Sequence, residues 1–288
     1  MRRRALLAST AVVALGTSTA GCVDTEATDT DQPRATDGTS GRDATASTAP
    51  TDDGPRTVEV GDAVDLGATT AELGSLSLQS TFVERQWPMW DAHGRDDHAF
   101  VVVRLSGADR ARALARDPPV GVRVDGERYD DSDAYSRTDG GRPVEFAATI
   151  PTGDDVDSAA LVLRTTTGDA RYPLDDDLLA TLRAPPELTV TPDVPDVVTD
   201  GPLQYELVVE NTGDGPGTLV ATSTHDAIHD KWWTRGETVA PGDTASLTFE
   251  PYAPTEGDGY ELEIVLDWGL DSVTRTVTIE NDEGTTTD

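Results

Sequence analysis

Along much of the chain, apolar side chains fall at every second position. Leu76-Leu78-Ser80-Phe82, Val120-Val122-Val124 and Val144-Phe146-Ala148-Ile150 all follow this rule. A period of two puts alternate side chains on opposite faces, so each run is expected to be a half-buried strand. Phe100–Val103 is apolar without interruption and is read as a strand as well. Asp125-Gly126 and Thr167-Gly168-Asp169 are tight-turn sequences, because glycine accepts positive φ, and they imply antiparallel neighbours. Only two short helices are expected. One is Ala108–Arg116, stopped by Asp117-Pro118-Pro119, and the other is Asp177–Leu182, whose acidic start suits the helix dipole.

The region from Glu187 to Glu280 divides into seven candidate strands at sandwich spacing: Leu188–Val190, Leu203–Val209, Thr218–Ser223, Trp233–Val239, Ala245–Phe249, Tyr260–Leu266 and Val273–Ile279. Alternation is cleanest in Leu203-Tyr205-Leu207-Val209 and Tyr260-Leu262-Ile264-Leu266, where Glu206, Glu210, Glu261 and Glu263 mark the wet face. Ala184-Pro185-Pro186 separates this region from the earlier one, and paired prolines hold an extended, stiff hinge. From Val23 to about Arg56 there is almost no large apolar side chain, too little to offset the entropy of ordering, so a disordered acidic stalk is expected. The expected organisation is therefore a segment 1–21 to be removed, a stalk 22–56, a first sandwich 57–183, the proline hinge 184–186, a second sandwich 187–280 and an acidic tail 281–288.

The chain has 54 acidic and 22 basic residues, a formal net charge of −32, and Lys231 is its only lysine. The acids are spread over strands, turns and stalk, a pattern that solvent conditions explain better than a basic partner does. At about 1 M salt the Debye length falls to roughly 3 Å, and carboxylates at ordinary surface spacings stop repelling one another. The composition resembles that of haloarchaeal proteins. It argues against nucleic acid as a partner, since phosphate recognition depends on Lys and Arg patches.

The first twenty-two residues read as an export address. Three arginines precede a weakly apolar stretch, Ala5–Ala20, too short and polar to remain in a bilayer. Arg3-Arg4-Ala5-Leu6-Leu7 resembles a twin-arginine signal, with Arg2 where Ser or Thr is usual. Thr19-Ala20-Gly21-Cys22 resembles a lipobox, with Thr19 in place of the usual Leu. Cys22 is the sole cysteine, so lipidation is its most economical role, and neither a disulfide nor a cysteine-based zinc site can form within the chain. The expected location is the extracellular face of the membrane, with the membrane itself as a partner through the anchor.

In the second region Val208-Val209-Glu210-Asn211-Thr212-Gly213, Val239-Ala240-Pro241-Gly242-Asp243-Thr244 and Leu247-Thr248-Phe249 resemble the adhesion-related immunoglobulin-like domains of prokaryotic surface proteins. In the first, Val58-Glu59-Val60-Gly61-Asp62 and the Phe100–Val103 strand resemble immunoglobulin-like domains of secreted lipoproteins. The fold class this implies is all-β, with two immunoglobulin-like antiparallel sandwiches in tandem after the stalk.

No nucleophile elbow, metalloprotease helix, phosphate loop or dinucleotide fingerprint occurs, and no enzyme or cofactor is expected. Two stretches rich in Trp, His and Asp are the candidate sites. Trp87, Trp90, Asp91, His93, Asp96, Asp97 and His98 form one, and His225, Asp226, His229, Asp230, Trp232 and Trp233 the other. His225 and His229 would share a face on a helical turn and could ligate zinc, nickel or copper. Trp87, Trp90, Trp232 and Trp233 could instead be platforms for a sugar or protein partner, or simply pack. A surface protein or a small ligand is the expected partner, leaving two readings: an interaction module, or a metal- or solute-binding lipoprotein.

Overall fold

Strand after strand of alternating side chains closes onto two separate apolar cores. The computed structural model describes residues 55–86, 89–107, 111–129, 133–139, 142–199, 202–226, 232–252 and 259–280. The expected signal, Arg3, Arg4, Cys22, nearly all of the stalk, and the tail lie outside them, as do Trp87 and His229. The described residues fall within one compact unit.

The first sandwich contains β1 (Arg56–Thr57), β2 (Ala63–Asp65), β3 (Thr70–Gln79), β4 (Thr81–Gln86), β5 (Met89–Gly94), β6 (His98–Ser106), α1 (Ala111–Arg116), β7 (Val120–Val124), β8 (Glu127–Tyr129), β9 (Ala134–Asp139), β10 (Arg142–Pro151), β11 (Ala159–Thr165), β12 (Gly168–Pro173) and α2 (Asp176–Arg183). Its two sheets run β1-β12-β11-β7-β8 and β2-β3-β6-β10-β9. Between them lie Val101, Val103, Leu105, Val122, Phe146, Ile150, Leu161 and Leu163, all essentially inaccessible. Both glycine turns close hairpins, β7–β8 and β11–β12. Asp175 caps α2 by accepting a hydrogen bond from the Leu178 N–H.

The second sandwich comprises β13 (Leu188–Asp193), β14 (Val197–Val198), β15 (Tyr205–Asn211), β16 (Gly217–His225), β17 (Trp233–Val239), β18 (Thr244–Phe249), β19 (Tyr260–Asp267) and β20 (Ser272–Ile279). Sheet β13-β15-β18 faces sheet β14-β20-β19-β16-β17 across Leu207, Val209, Leu219, Phe249, Leu262, Ile264 and Val277. That division of strands, with β14 pairing in parallel with β20, is an immunoglobulin-like sandwich. The first sandwich repeats the device, its two-residue β1 pairing in parallel with β12. The chain is thus all-β, with two immunoglobulin-like sandwiches in tandem.

Two departures from the alternation matter for the site. The run expected through Leu76, Leu78, Ser80 and Phe82 is broken at Ser80, so β3 stays in its sheet while β4 leaves it to pair with β5. The uninterrupted apolar run of β6 is buried on both faces. Val101 and Val103 enter the main core, whereas Phe100 and Val102 join Phe82 and Ala147 in a second, smaller core under the β4–β5 hairpin.

Between the sandwiches, Ala184–Glu187 lies against the turn that follows β15. Asn211, fully buried, uses its whole side chain there. Its Nδ2 donates to Gly215 O at 2.8 Å and Val239 O at 2.9 Å, and its Oδ1 accepts from Glu187 N–H at 3.2 Å and Gly213 N–H at 3.1 Å. The contact is so close that a Cβ on Gly215 would stand 1.7 Å from Ala184 O.

Candidate functional site

The Trp/His/Asp-rich stretch of the first sandwich is largely the β4–β5 hairpin. Pairing of Phe82 with His93 and of Glu84 with Asp91 places these four side chains on one face. That face lies on the first sandwich. Phe82 packs 6.1 Å from Phe100 and 6.3 Å from Tyr135, with the Arg137 guanidinium 5.6 Å above its ring. Arg137 is in turn bonded to Glu145. The His93 ring lies 4.2 Å from that of Tyr135. Its Nε2 is 3.4 Å from a carboxylate oxygen of Glu84, an ion-pair distance without hydrogen-bond geometry. Glu84 is only 6% exposed. Burial, reinforced by Asp133, pushes the Tyr135 hydroxyl up to about 12.

The opposite hairpin face, with Thr81 and Val83, turns to the second sandwich, where β4 and β5 pack on β16. On β16, pairing with β19 begins only at Thr222, so residues 218–220 have main-chain groups left over. The hairpin takes them. Ser80 N–H donates to Thr218 O at 2.8 Å. The Thr81 hydroxyl donates to Val220 O and accepts from Val220 N–H, both at 2.7 Å, in full burial. Further along, the Gly94 and Gly269 backbones touch; Gly269 has φ +80°, and a Cβ there would come within 2.3 Å of the His93 carbonyl carbon. Nearby Asp267 is shifted up, first by burial and then by the charge of Asp91, against a hydrogen bond from Gly269 N–H and the influence of His93. Trp90 is half-buried, with the Arg85 guanidinium 4.7 Å from its ring centroid. His98 bonds to the Asp96 carbonyl and the Tyr129 hydroxyl, apart from the hairpin cluster.

The second stretch lies at one end of the second sandwich. His225 is the last residue of β16, on a strand and not on a helical turn, and it continues the inward row Ala221-Ser223. It is 2% exposed and stacks on Trp233 with ring centroids 5.1 Å apart. Among the described residues neither ring nitrogen has a hydrogen-bond partner, the Tyr252 main chain approaching without hydrogen-bond geometry. Burial holds the imidazole below its ordinary range, opposed by Tyr252 and Asp226. Trp232 is half-buried, Tyr252 is 66% exposed, and Asp226 is pinned by exchanging hydrogen bonds with the Glu263 main chain. Among the described residues no three His, Cys, Asp or Glu side chains converge as metal ligands.

The residue pattern alone does not single out Thr81, Glu84, Tyr135 or Asp267. The double-sided apolar run at Phe100–Val103 was the signal that something covers the outer face of that sheet.

No protein-family model matches the chain, and no curated protein matches it. Among solved structures, a β-glucosidase from Listeria innocua in complex with glucose aligns at 15% identity over 34% of this chain and 16% of its own, with a TM-score of 0.26. The CARDB domain of a Pyrococcus furiosus protein, in complex with di-metal ions, aligns at 21% identity over 33% of this chain and 88% of its own, with a TM-score of 0.25. A titin domain pair in complex with telethonin aligns at 16% identity over 65% and 88% of the two chains, with a TM-score of 0.18. The chain thus spans about a sixth of the β-glucosidase. At such scores the fold assignment stands on the protein's own strand order and pairing.

Proposed function

We propose that the protein is a non-catalytic interaction module of a cell surface, lipid-anchored through Cys22 and working in strong salt, in which the two sandwiches act as one rigid body. The observation behind this reading is the β4–β5 hairpin, which supplies a small apolar core to one sandwich and main-chain partners to the other. A rigid pair presents distant surfaces in a fixed geometry, which suits recognition; the strand faces offer broad surface for it. The acidic composition supports the salt dependence, and the residues around Cys22 support the anchor.

Unfolding followed by circular dichroism across a salt series tests the first half of this reading. A single cooperative transition in molar salt that is lost in salt-free buffer is expected; unchanged stability without salt would overturn it. Membrane fractionation of wild type and Cys22→Ser tests the second, the variant being expected in the soluble fraction. Zinc, nickel and copper are expected to leave the melting temperature unmoved. A stoichiometric metal that stabilises the wild type but not His229→Ala would replace this reading with a metal-carrying one.

A further inference from the structure

The outer face of the sheet β1-β12-β11-β7-β8 reverses the charge of the rest of the molecule. Arg123 lies directly across from Arg128, and Arg171 across from Val162. Alternation places Arg164 on that face too, with Ala160, Gly121 and Asp169. Val162, although it points away from the main core, is only 3% exposed. Arginine stems, not a further layer of strands, flank it in the pairing register.

Two of the four guanidiniums are neutralised: Arg164 by Asp117 at 2.9 Å and Arg128 by Asp169 at 3.8 Å. Arg123 and Arg171 meet no carboxylate among the described residues. The Nε of each is inaccessible and has no hydrogen-bond partner, Arg123 donating only through Nη1 to Gly126 O. In a chain with 54 acids, two half-buried arginines on either side of β11 that meet no carboxylate among the described residues stand out.

The second sandwich offers the complement. Glu261 and Glu263 are exposed on the outer face of β19, beside exposed Thr274 and Thr276 of β20, and neither glutamate is in an ion pair among the described residues. Two residues apart on one strand, their Cα atoms are about 7 Å apart. Two long guanidinium arms flanking β11 can bracket that spacing. We propose that the Arg123/Arg171 face of one copy docks on the Glu261/Glu263 face of a second copy, head to tail.

Because the two faces differ, the contact is heterologous and does not close as a simple dimer. Its salt dependence is unusual. The net charge of −32 keeps copies apart in dilute buffer, and that long-range repulsion is screened in brine, whereas the short bidentate guanidinium–carboxylate contact is screened much less. Association therefore strengthens as salt rises.

Sedimentation velocity of the full-length chain carrying Cys22→Ser, so that no lipid contributes, tests this. Concentration-dependent association in molar NaCl, weakening as salt is lowered, is expected. Arg123→Glu with Arg171→Glu is expected to weaken it about tenfold or more, and adding Glu261→Arg with Glu263→Arg to restore it. Arg123→Gln with Arg171→Gln keeps much of the stem packing and is expected to weaken association without changing the melting temperature. Arg104→Glu, at an exposed position of β6 in the other sheet of the first sandwich and away from both faces, is expected to leave association unchanged. A monomer at every salt concentration, association indifferent to the arginine substitutions, or a charge exchange that fails to restore it overturns the proposal. A monomer that instead binds poly-glutamate through Arg123 and Arg171 overturns the choice of occupant.

Discussion

The two sandwiches share a plan and differ in what lies on their outer faces. Each places a two-residue strand in parallel along its last strand, β1 on β12 and β14 on β20. The first, however, has β6 inserted between β3 and β10, and its chain leaves the sheet at Ser80 to build the β4–β5 hairpin. The second has bare Thr- and Glu-studded faces except where that hairpin covers β16. The hairpin therefore serves the pair: without it Phe100 and Val102 would face solvent, and Thr218 and Val220 of β16 would lose the main-chain partners it supplies.

The largest expected effect comes from the linker side of the joint. Gly215→Ala drives a methyl into Ala184 O, and a loss of about 3 kcal/mol or more is expected in denaturant unfolding in molar salt. A loss below about 1 kcal/mol would mean that Ala184–Glu187 is not held against the second sandwich. Asn211→Ala leaves two carbonyls and two N–H groups without their side-chain partners, and about 3 kcal/mol is expected.

Thr81→Val keeps the shape but removes both bonds to Val220, at a cost of about 2 kcal/mol. Its diagnostic sign is a split of one unfolding transition into two, seen by calorimetry; a single transition at the wild-type midpoint would deny the hairpin its coupling role. Smallest of all is His225→Phe, expected within about 1 kcal/mol of wild type, because the ring makes no hydrogen bond to lose.

The same substitution sharpens a pH prediction. A histidine whose pKa is lowered in the fold contributes stability that is complete above its unfolded value of 6.5 and is lost as pH falls toward the depressed folded value, since the unfolded chain takes up the proton first. His225→Phe removes that part of the slope below pH 6.5. Asp267, shifted up, has the opposite sign, the fold gaining stability as pH falls through the folded value toward 3.8.

Much of the fold was legible in the residues. Leu203-Tyr205-Leu207-Val209 and Tyr260-Leu262-Ile264-Leu266 have one wet face each, so alternation located them and their buried sides. The parallel strands at Arg56–Thr57 and Val197–Val198 were not legible, because two residues have no period and borrow their pairing from a distant edge. The hairpin was hidden for a different reason. Phe82-Val83-Glu84 is buried on both sides, one against each sandwich, so no single face stays polar to reveal a strand. The spacing of His225 and His229 suits a shared face only on a helical turn, whereas the row Ala221-Ser223-His225 carries a strand-like signal of burial.

The parallel pairing of β1 with β12 also sets how the protein responds to pulling. A tug applied ahead of Arg56 runs along the β1 axis, so the β1–β12 hydrogen bonds and the adjoining Val58 N–H to Arg171 O bond are dragged sideways together, not opened one by one like a zip. Tension arriving from that end thus meets a shear clamp before it reaches either apolar interior.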